Sequence, residues 1–321
     1  MGKLALTVAL GDYDRTLALR TGMIQPDGVE LNVLTLSPEE MFYRMGRFRE
    51  FDASEFSLST YTVRRGRGEP LIAIPVFPSR SFRHSSVYVR DGAGIAEPRD
   101  LRGQRMGVPK YHMTAAVWIR GILEDDHGVA PKDMQWIEGG EGASVKEVDV
   151  TLPPDVPHQY VGSDRNLGHM LVAGELDAYM GARKPPAYGK GVIRLFPDYR
   201  RVEREWYART GIFPIMHTVV IKEELVRQHP WLPRNLYAAF VAAKQHAYQR
   251  LDNTAALCTS LPWQVAEAEE TRALMGDDPF PYGIARNRAN VEALVGHSLR
   301  QGLAPRRLSI EEMFAPSLLD T

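Results

Sequence analysis

Apolar positions along the chain fall into short strand-like runs separated by stretches of helical spacing. Residues 4–10 (LALTVAL) alternate weakly and are rich in strand formers, which predicts a first strand. Gly11-Asp12-Tyr13-Asp14 is a turn, and Thr16 opens a short helix, TLALRTGM. VELNVLTL, after Gly28, predicts a second strand. Ser37-Pro38-Glu39-Glu40 is a strong helix start, with Ser as N-cap, Pro at the first helical position and Glu in the first turn. FDASEFSLSTY, residues 51–61, reads as a strand end running into a loop or short helix, and LIAIPVF as a further strand. This β-α-β-α-β alternation implies an open, largely parallel sheet with helices on its faces. Ligands in such sheets bind beyond the carboxyl ends of the strands. Those ends fall at GDYD, SEFSLST and FPSRSFRHS, each polar where the strands are apolar.

A second unit begins near Val87. SSVYVR is a strand able to cross between lobes. A short helix, the strand RMGV, a loop and a long helix follow, and residues 112–124 place Ala116, Ile119, Ile122 and Leu123 on one helical face. MQWIEGG and KEVDVTL are strand-like, and RNLGHMLVAGELDAYMGAR is a helix feeding a strand. PIMHTVVI returns to the first lobe, and only helices come after it. The pattern resembles the type II periplasmic-binding-protein fold: DLRGQRMGV followed by a Thr at a helix start, and GELDA before a strand, are typical of its second lobe. The expected architecture is therefore α/β and two-lobed, with a hinged cleft and extra C-terminal helices. Residues 1–87 and 213–321 form lobe I, and residues 88–212 form lobe II.

Composition narrows the function classes. With 321 residues, two lobes are expected rather than one core. The formal net charge of -1 gives no whole-chain attraction to nucleic acid or to an anionic membrane. The single cysteine, Cys258, excludes an intramolecular disulfide and a thiolate cluster; in the helical-looking run NTAALCTSL it reads as a buried, inert thiol. No signal-length apolar run opens the chain and no stretch approaches a spanning helix, so the expected location is cytoplasmic.

Four segments carry candidate chemistry. FPSRSFRHSS, residues 77–86, gathers Arg80, Arg83 and His84 next to the expected hinge. Two arginines there suit bidentate binding of carboxylates, against the alternative of a basic loop paired with the other lobe. VPKYHMTAAVW, residues 108–118, brings Lys110, Tyr111 and His112 to a helix start at Thr114, where free N–H groups and the dipole favour an anion. Thr114 is equally a simple cap, and His112 equally a solvent-exposed loop residue. In SEFSLSTY, Glu55 is placed to bond phenols or act as a general base, or is an exposed carboxylate. Asp12 and Tyr13 end the first strand; Tyr13 stacks on an aromatic ring or fills core. Arg183 and His217 complete the edge, although a lone strand histidine is more often a core residue. No HExxH, CxxC pair, P-loop or GxGxxG is present. No spacing calls for a metal, and a divalent ion assembled from distant His, Asp and Glu stays open.

At FPSRSFRHS and GVPKYHMTAAVWIRGILEDDHGV, and again at GDYDRT and FDASEFSLSTY, the sequence resembles the 4,5-dihydroxyphthalate decarboxylases and relatives described as substrate-binding proteins. The resemblance runs nearly end to end. It implies non-oxidative loss of one carboxylate from 4,5-dihydroxyphthalate, giving protocatechuate, in phthalate breakdown. Each carboxylate is para to a hydroxyl, so protonation of the ring carbon and loss of CO2 need a base, an acid and cations but no organic cofactor. On this reading Arg80 and Arg83 grip carboxylates, assisted by Thr114, and His84 or His112 delivers the proton. Glu55, with Asp12 or Tyr13, contacts the hydroxyls, while Lys110, Arg183 and His217 contribute to binding. The expected partner is a small aromatic dicarboxylate, with no nucleic acid or membrane; homo-oligomerisation is open. A non-catalytic aromatic-acid binding protein and a decarboxylase of another arylcarboxylate fit the same segments. The related thiamine-pyrimidine synthases do not, because their cysteine-rich motif is missing.

Overall fold

A computed structural model describes residues 2–140 and 151–321. The first unit runs β1 (Leu4–Leu10), α1 (Asp14–Arg20), β2 (Val29–Thr35), α2 (Pro38–Phe48), β3 (Ala53–Ser57), α3 (Leu58–Gly66) and β4 (Leu71–Ile74). The second runs β5 (Val87–Arg90), β6 (Arg105–Val108), α4 (Thr114–His127), β7 (Gln135–Glu138), β8 (His158–Tyr160), α5 (Leu167–Val172), β9 (Ala178–Met180), β10 (Val192–Arg194) and α6 (Tyr199–Thr210). The chain then returns through β11 (His217–Lys222) to α7 (Glu223–Gln228), α8 (Leu232–Leu251), α9 (Gln264–Met275), α10 (Arg288–Arg300) and α11 (Ile310–Met313).

Two sheets result, ordered β2-β1-β3-β11-β4 and β10-β5-β9-β6-β7-β8. β1 pairs parallel with β2 and β3, and β6 pairs parallel with β7 and β9, as βαβ crossovers require. The exceptions to parallel pairing include the strands entered from the crossovers. β11 runs antiparallel between β3 and β4, and β5 antiparallel between β10 and β9. The two crossovers lie side by side: Arg80 bridges Ile215, and the Ser81 amide donates to the Pro214 carbonyl at 3.1 Å. The basic segment of residues 77–86 is therefore the first of the two crossovers, at the expected hinge.

Local chemistry explains the helix starts. Ser37 accepts from the Glu40 amide, with Pro38 first in α2, and Ser57 caps α3 in the same way. α4 departs from a one-faced helix. All ten residues from Thr114 to Leu123 are buried, because α4 lies between the lobes and packs against α3 and α10 as well as its own sheet. Trp118 donates its indole N–H to the Ile215 carbonyl at 2.9 Å, tying α4 to the start of β11.

Three expectations change. The run around Cys258 is turns rather than helix, and the thiol is half-buried, its Sγ 3.7 Å from Gln264 Oε1. β10 and α6 occupy the stretch between GELDAYMGAR and PIMHTVVI, to which the sequence assigned no element. The strand-like reading of residues 146–152 falls mostly outside the described residues; Thr151 and Leu152 carry no strand. No helix among the described residues is long and apolar enough to cross a membrane.

Candidate active site

A cavity of about 300 Å³ opens between the lobes. Lobe I contributes Tyr13 after β1, Pro38, Glu39 and Phe42 from the start of α2, Ser57 at the end of β3, and Met216 and His217 at the entry to β11. Lobe II contributes Pro109 and Lys110 after β6, Met113 to Ala115 at the start of α4, and Ala182 and Arg183 after β9. The hinge adds Ser79 and Arg83. These positions are strand ends and crossovers, where a doubly wound fold keeps its ligands.

At the cavity wall the lining residue His217 pairs with the buried Glu55 behind it. Glu55 lies mid-strand in β3 opposite Val219 of β11, which makes His217 its diagonal neighbour on the same face. His217 Nδ1 is 2.5 Å from Glu55 Oε1. The same carboxylate accepts from the Tyr13 hydroxyl at 2.7 Å and from the Gly11 amide at 2.8 Å. Glu55 is fully buried, and burial alone raises a carboxyl pKa. The His217 hydrogen bond and charge, with the Tyr13 and Gly11 donors, outweigh it and hold Glu55 below the usual carboxylate range. Burial and the neighbouring Glu55 charge push the Tyr13 hydroxyl up, so it stays a phenol and a donor. With Nδ1–H committed to Glu55, His217 has Nε2 left for a ligand, and its ring is fixed edge-on to Phe42 at 4.8 Å. Glu55 itself does not line the cavity, and its oxygens are engaged by His217, Tyr13 and Gly11 rather than open to a ligand's hydroxyls.

The two hinge arginines diverge. Arg83 lines the cavity, and its partners are Met216 Sδ at 3.1 Å and, at 3.5 Å, Ser86 Oγ and the Ala182 carbonyl. Among the described residues no carboxylate forms an ion pair with it. Burial pushes its guanidinium down to about 10, with Glu203 the main opposing charge, and it remains a cation at neutral pH. Arg80 points the other way. It donates to the Phe213 and Pro281 carbonyls, both at 3.0 Å, and to Asn287 Oδ1, fastening the hinge to the C-terminal segment instead of facing the cavity.

Lys110 and Thr114 line the cavity from lobe II. Met113 holds the N-cap position of α4, and the Thr114 hydroxyl closes the seam between the lobes, 2.9 Å from Ser57 Oγ and accepting from the Ser59 amide at 3.1 Å. His112 is buried rather than solvent-exposed, outside the cavity lining, with its carbonyl bonded by the Ser59 hydroxyl. Asp12 is exposed and paired with Arg20 at 2.5 Å, away from the cavity. Among the described residues no group of three or more His, Cys, Asp or Glu is placed to hold a metal ion.

His84 also lies away from the cavity, edge-on to Phe196 and Trp206 at 5.4 Å each. Burial pushes its imidazole down from 6.5 to about 4, so it is neutral where a proton donor is needed. A depressed native pKa gives stability that is complete above pH 6.5 and is lost as pH falls towards 4. Between those limits, acidification to about pH 5 is expected to cost the native state about 2 kcal/mol through this residue. His84→Phe keeps the ring contacts, and denaturant unfolding at pH 7 and pH 5 should show it losing that much less than the parent. Equal losses contradict a buried neutral His84.

No protein-family model matches the chain. A 4,5-dihydroxyphthalate decarboxylase of Comamonas testosteroni is 41% identical over 327 residues, spanning 100% of this chain and 99% of the relative. A 4,5-dihydroxyphthalate decarboxylase of Pseudomonas putida is 42% identical over 213 residues, 64% of this chain and 83% of that one. Among solved structures, the periplasmic aliphatic sulphonate binding protein SsuA of Escherichia coli superposes with a TM-score of 0.54 at 12% identity, covering 97% of this chain and 91% of its own. A Candida albicans protein with the generic periplasmic binding protein fold gives 0.55 at 10% identity, covering 96% and 93%. The solved structures speak for the fold, and the full-length sequence match speaks for the family: this chain belongs to the 4,5-dihydroxyphthalate decarboxylase family, carboxy-lyases on a periplasmic-binding-protein-like fold.

Proposed function

We propose that the protein removes one carboxylate from 4,5-dihydroxyphthalate to give protocatechuate and CO2, as a cytoplasmic step of phthalate breakdown that uses no organic cofactor. The observation that carries this reading is the Glu55–His217 pair presented to a cavity beside a buried arginine that has no carboxylate of its own. The arginine alone serves a binding protein; an imidazole oriented by a buried carboxylate adds the group that an acid–base step needs.

The chemistry runs as follows. Arg83 holds the carboxylate that is retained. Protonated His217 delivers H+ from Nε2 to the ring carbon bearing the other carboxylate. Electron density for that step comes from the hydroxyl para to it, whose proton passes to solvent, and Lys110 supplies positive charge for the developing oxyanion. The ring–carboxylate bond then breaks, its electron pair restores aromaticity, CO2 leaves, and the para oxygen takes a proton back. The net reaction consumes one proton, which His217 draws from solvent. Glu55 fixes the imidazole tautomer and ring orientation, and Tyr13 and Gly11 hold Glu55 in place. Pro38, Phe42 and Met113 keep that part of the cavity apolar, which favours loss of a charged carboxylate as neutral CO2.

The test is to incubate purified, chelator-treated protein with 4,5-dihydroxyphthalate and follow CO2 and protocatechuate together. Equal release of both supports the reading; binding without release overturns it. Glu55→Gln is expected to lower kcat by about 10²-fold or more, while phthalate, which lacks the hydroxyls, binds about as before. Gln also turns an N–H towards Gly11 or Tyr13, so about 1–3 kcal/mol of stability should go with it. Unchanged kcat in a folded Glu55→Gln protein removes the acid–base pair from the mechanism.

A further inference from the structure

An ion pair spans the cavity from opposite lobes. Arg183, after β9, donates to Glu39 Oε2 at 2.9 Å, and both residues line the cavity. The pair is exposed, with 70% of the Arg183 side chain and 47% of the Glu39 side chain open to solvent. Arg83 is the opposite case: a buried cation on the same cavity.

We propose that the Glu39–Arg183 pair is an exchangeable reader of the substrate's second carboxylate and so makes the site selective for aromatic dicarboxylates. The inference rests on the reading of the cavity as an aromatic-carboxylate site. A single carboxylate goes to the buried Arg83, where desolvation makes a charge pair strong. A second, vicinal carboxylate then competes with Glu39 for Arg183. An exposed ion pair contributes little, so Arg183 changes partner at small cost. Glu39 tolerates the loss because it lies in the first turn of α2, an 11-residue helix whose free N–H groups and dipole favour a carboxylate.

The arrangement fits the reaction's direction. A strong cation on the departing carboxylate opposes its conversion to neutral CO2, whereas an exposed arginine with a waiting partner holds it loosely. After CO2 leaves, Arg183 returns to Glu39, and the monocarboxylate product keeps only Arg83.

Calorimetry with phthalate and benzoate, neither of which carries a hydroxyl for the reaction, isolates the reader from catalysis. The wild-type protein is expected to bind phthalate about tenfold or more tightly than benzoate. Arg183→Gln should bring the two within about threefold by weakening phthalate alone, and Glu39→Gln should tighten phthalate and leave benzoate as it was. Arg183→Gln weakening both ligands equally, or preserving the wild-type ratio, overturns the reader while the cavity reading stands. Wild-type protein that binds neither ligand overturns the cavity reading, and the reader with it.

Discussion

Replacing His217 with Gln is expected to lower kcat on 4,5-dihydroxyphthalate by about 10³-fold with little change in the binding of phthalate. Gln keeps a polar group against Glu55 but has no ionisable nitrogen to offer the ring carbon. His217 is the one histidine on the cavity lining among the described residues, and its Nδ1 is fixed by a carboxylate with no exposure to water. His84 and His112, which the sequence put ahead of His217 as proton donors, lie off that lining. Steady-state kinetics beside calorimetry read both effects, and a variant with parental kcat transfers the proton delivery elsewhere.

The second large effect concerns Arg83. Arg83→Met replaces a buried cation with an apolar side chain of similar reach, beside Met216. Removing one member of a desolvated charge pair costs about 3–5 kcal/mol in binding, or about 10²–10⁴-fold in Kd. Phthalate and benzoate should therefore both weaken by that factor. Stability should hold or rise, because the free protein no longer buries a charge without a carboxylate partner. That divergence is diagnostic: binding collapses while the melting temperature does not fall. A variant that loses stability and retains binding makes Arg83 a structural residue of the hinge.

Much of the fold was legible because its signals are local. Ser37-Pro38-Glu39-Glu40 announces α2 within four residues, and the apolar runs of β1, β2 and β4 alternate with helical spacing as a wound sheet requires. β10 and α6 were not legible, since β10 has three residues and half of the residues of α6 are charged, with Trp206 and Glu203 its only buried positions. Val202 and Trp206, four apart, were the available helical signal. The candidate site divides along the same line. Tyr13, Lys110, Thr114, Arg83 and Arg183 stand at strand ends or helix starts, and the alternation of elements locates such ends. The Glu55–His217 pairing depends on β11 inserting antiparallel beside β3, 162 residues later, which no local pattern records. The sequence therefore offered Glu55 as a general base or an exposed carboxylate and His217 as an edge residue more often found in cores, with nothing to join the two. Arg80 and Arg83 show the limit within one motif: three residues apart on a hinge, they point to different sides, and only contacts with Asn287 and Pro281 reveal which one leaves the cavity.

The most direct measurement is turnover of 4,5-dihydroxyphthalate in D2O by the wild-type protein and by His217→Gln. CO2 is counted by mass spectrometry and ring deuterium located by NMR. The account predicts one CO2 per substrate and one deuterium at the carbon that lost its carboxylate for the wild type, with neither above background for a His217→Gln protein that still binds phthalate. Wild-type protein that binds the substrate and releases no CO2, or a His217→Gln protein that turns over at the parental rate, contradicts it.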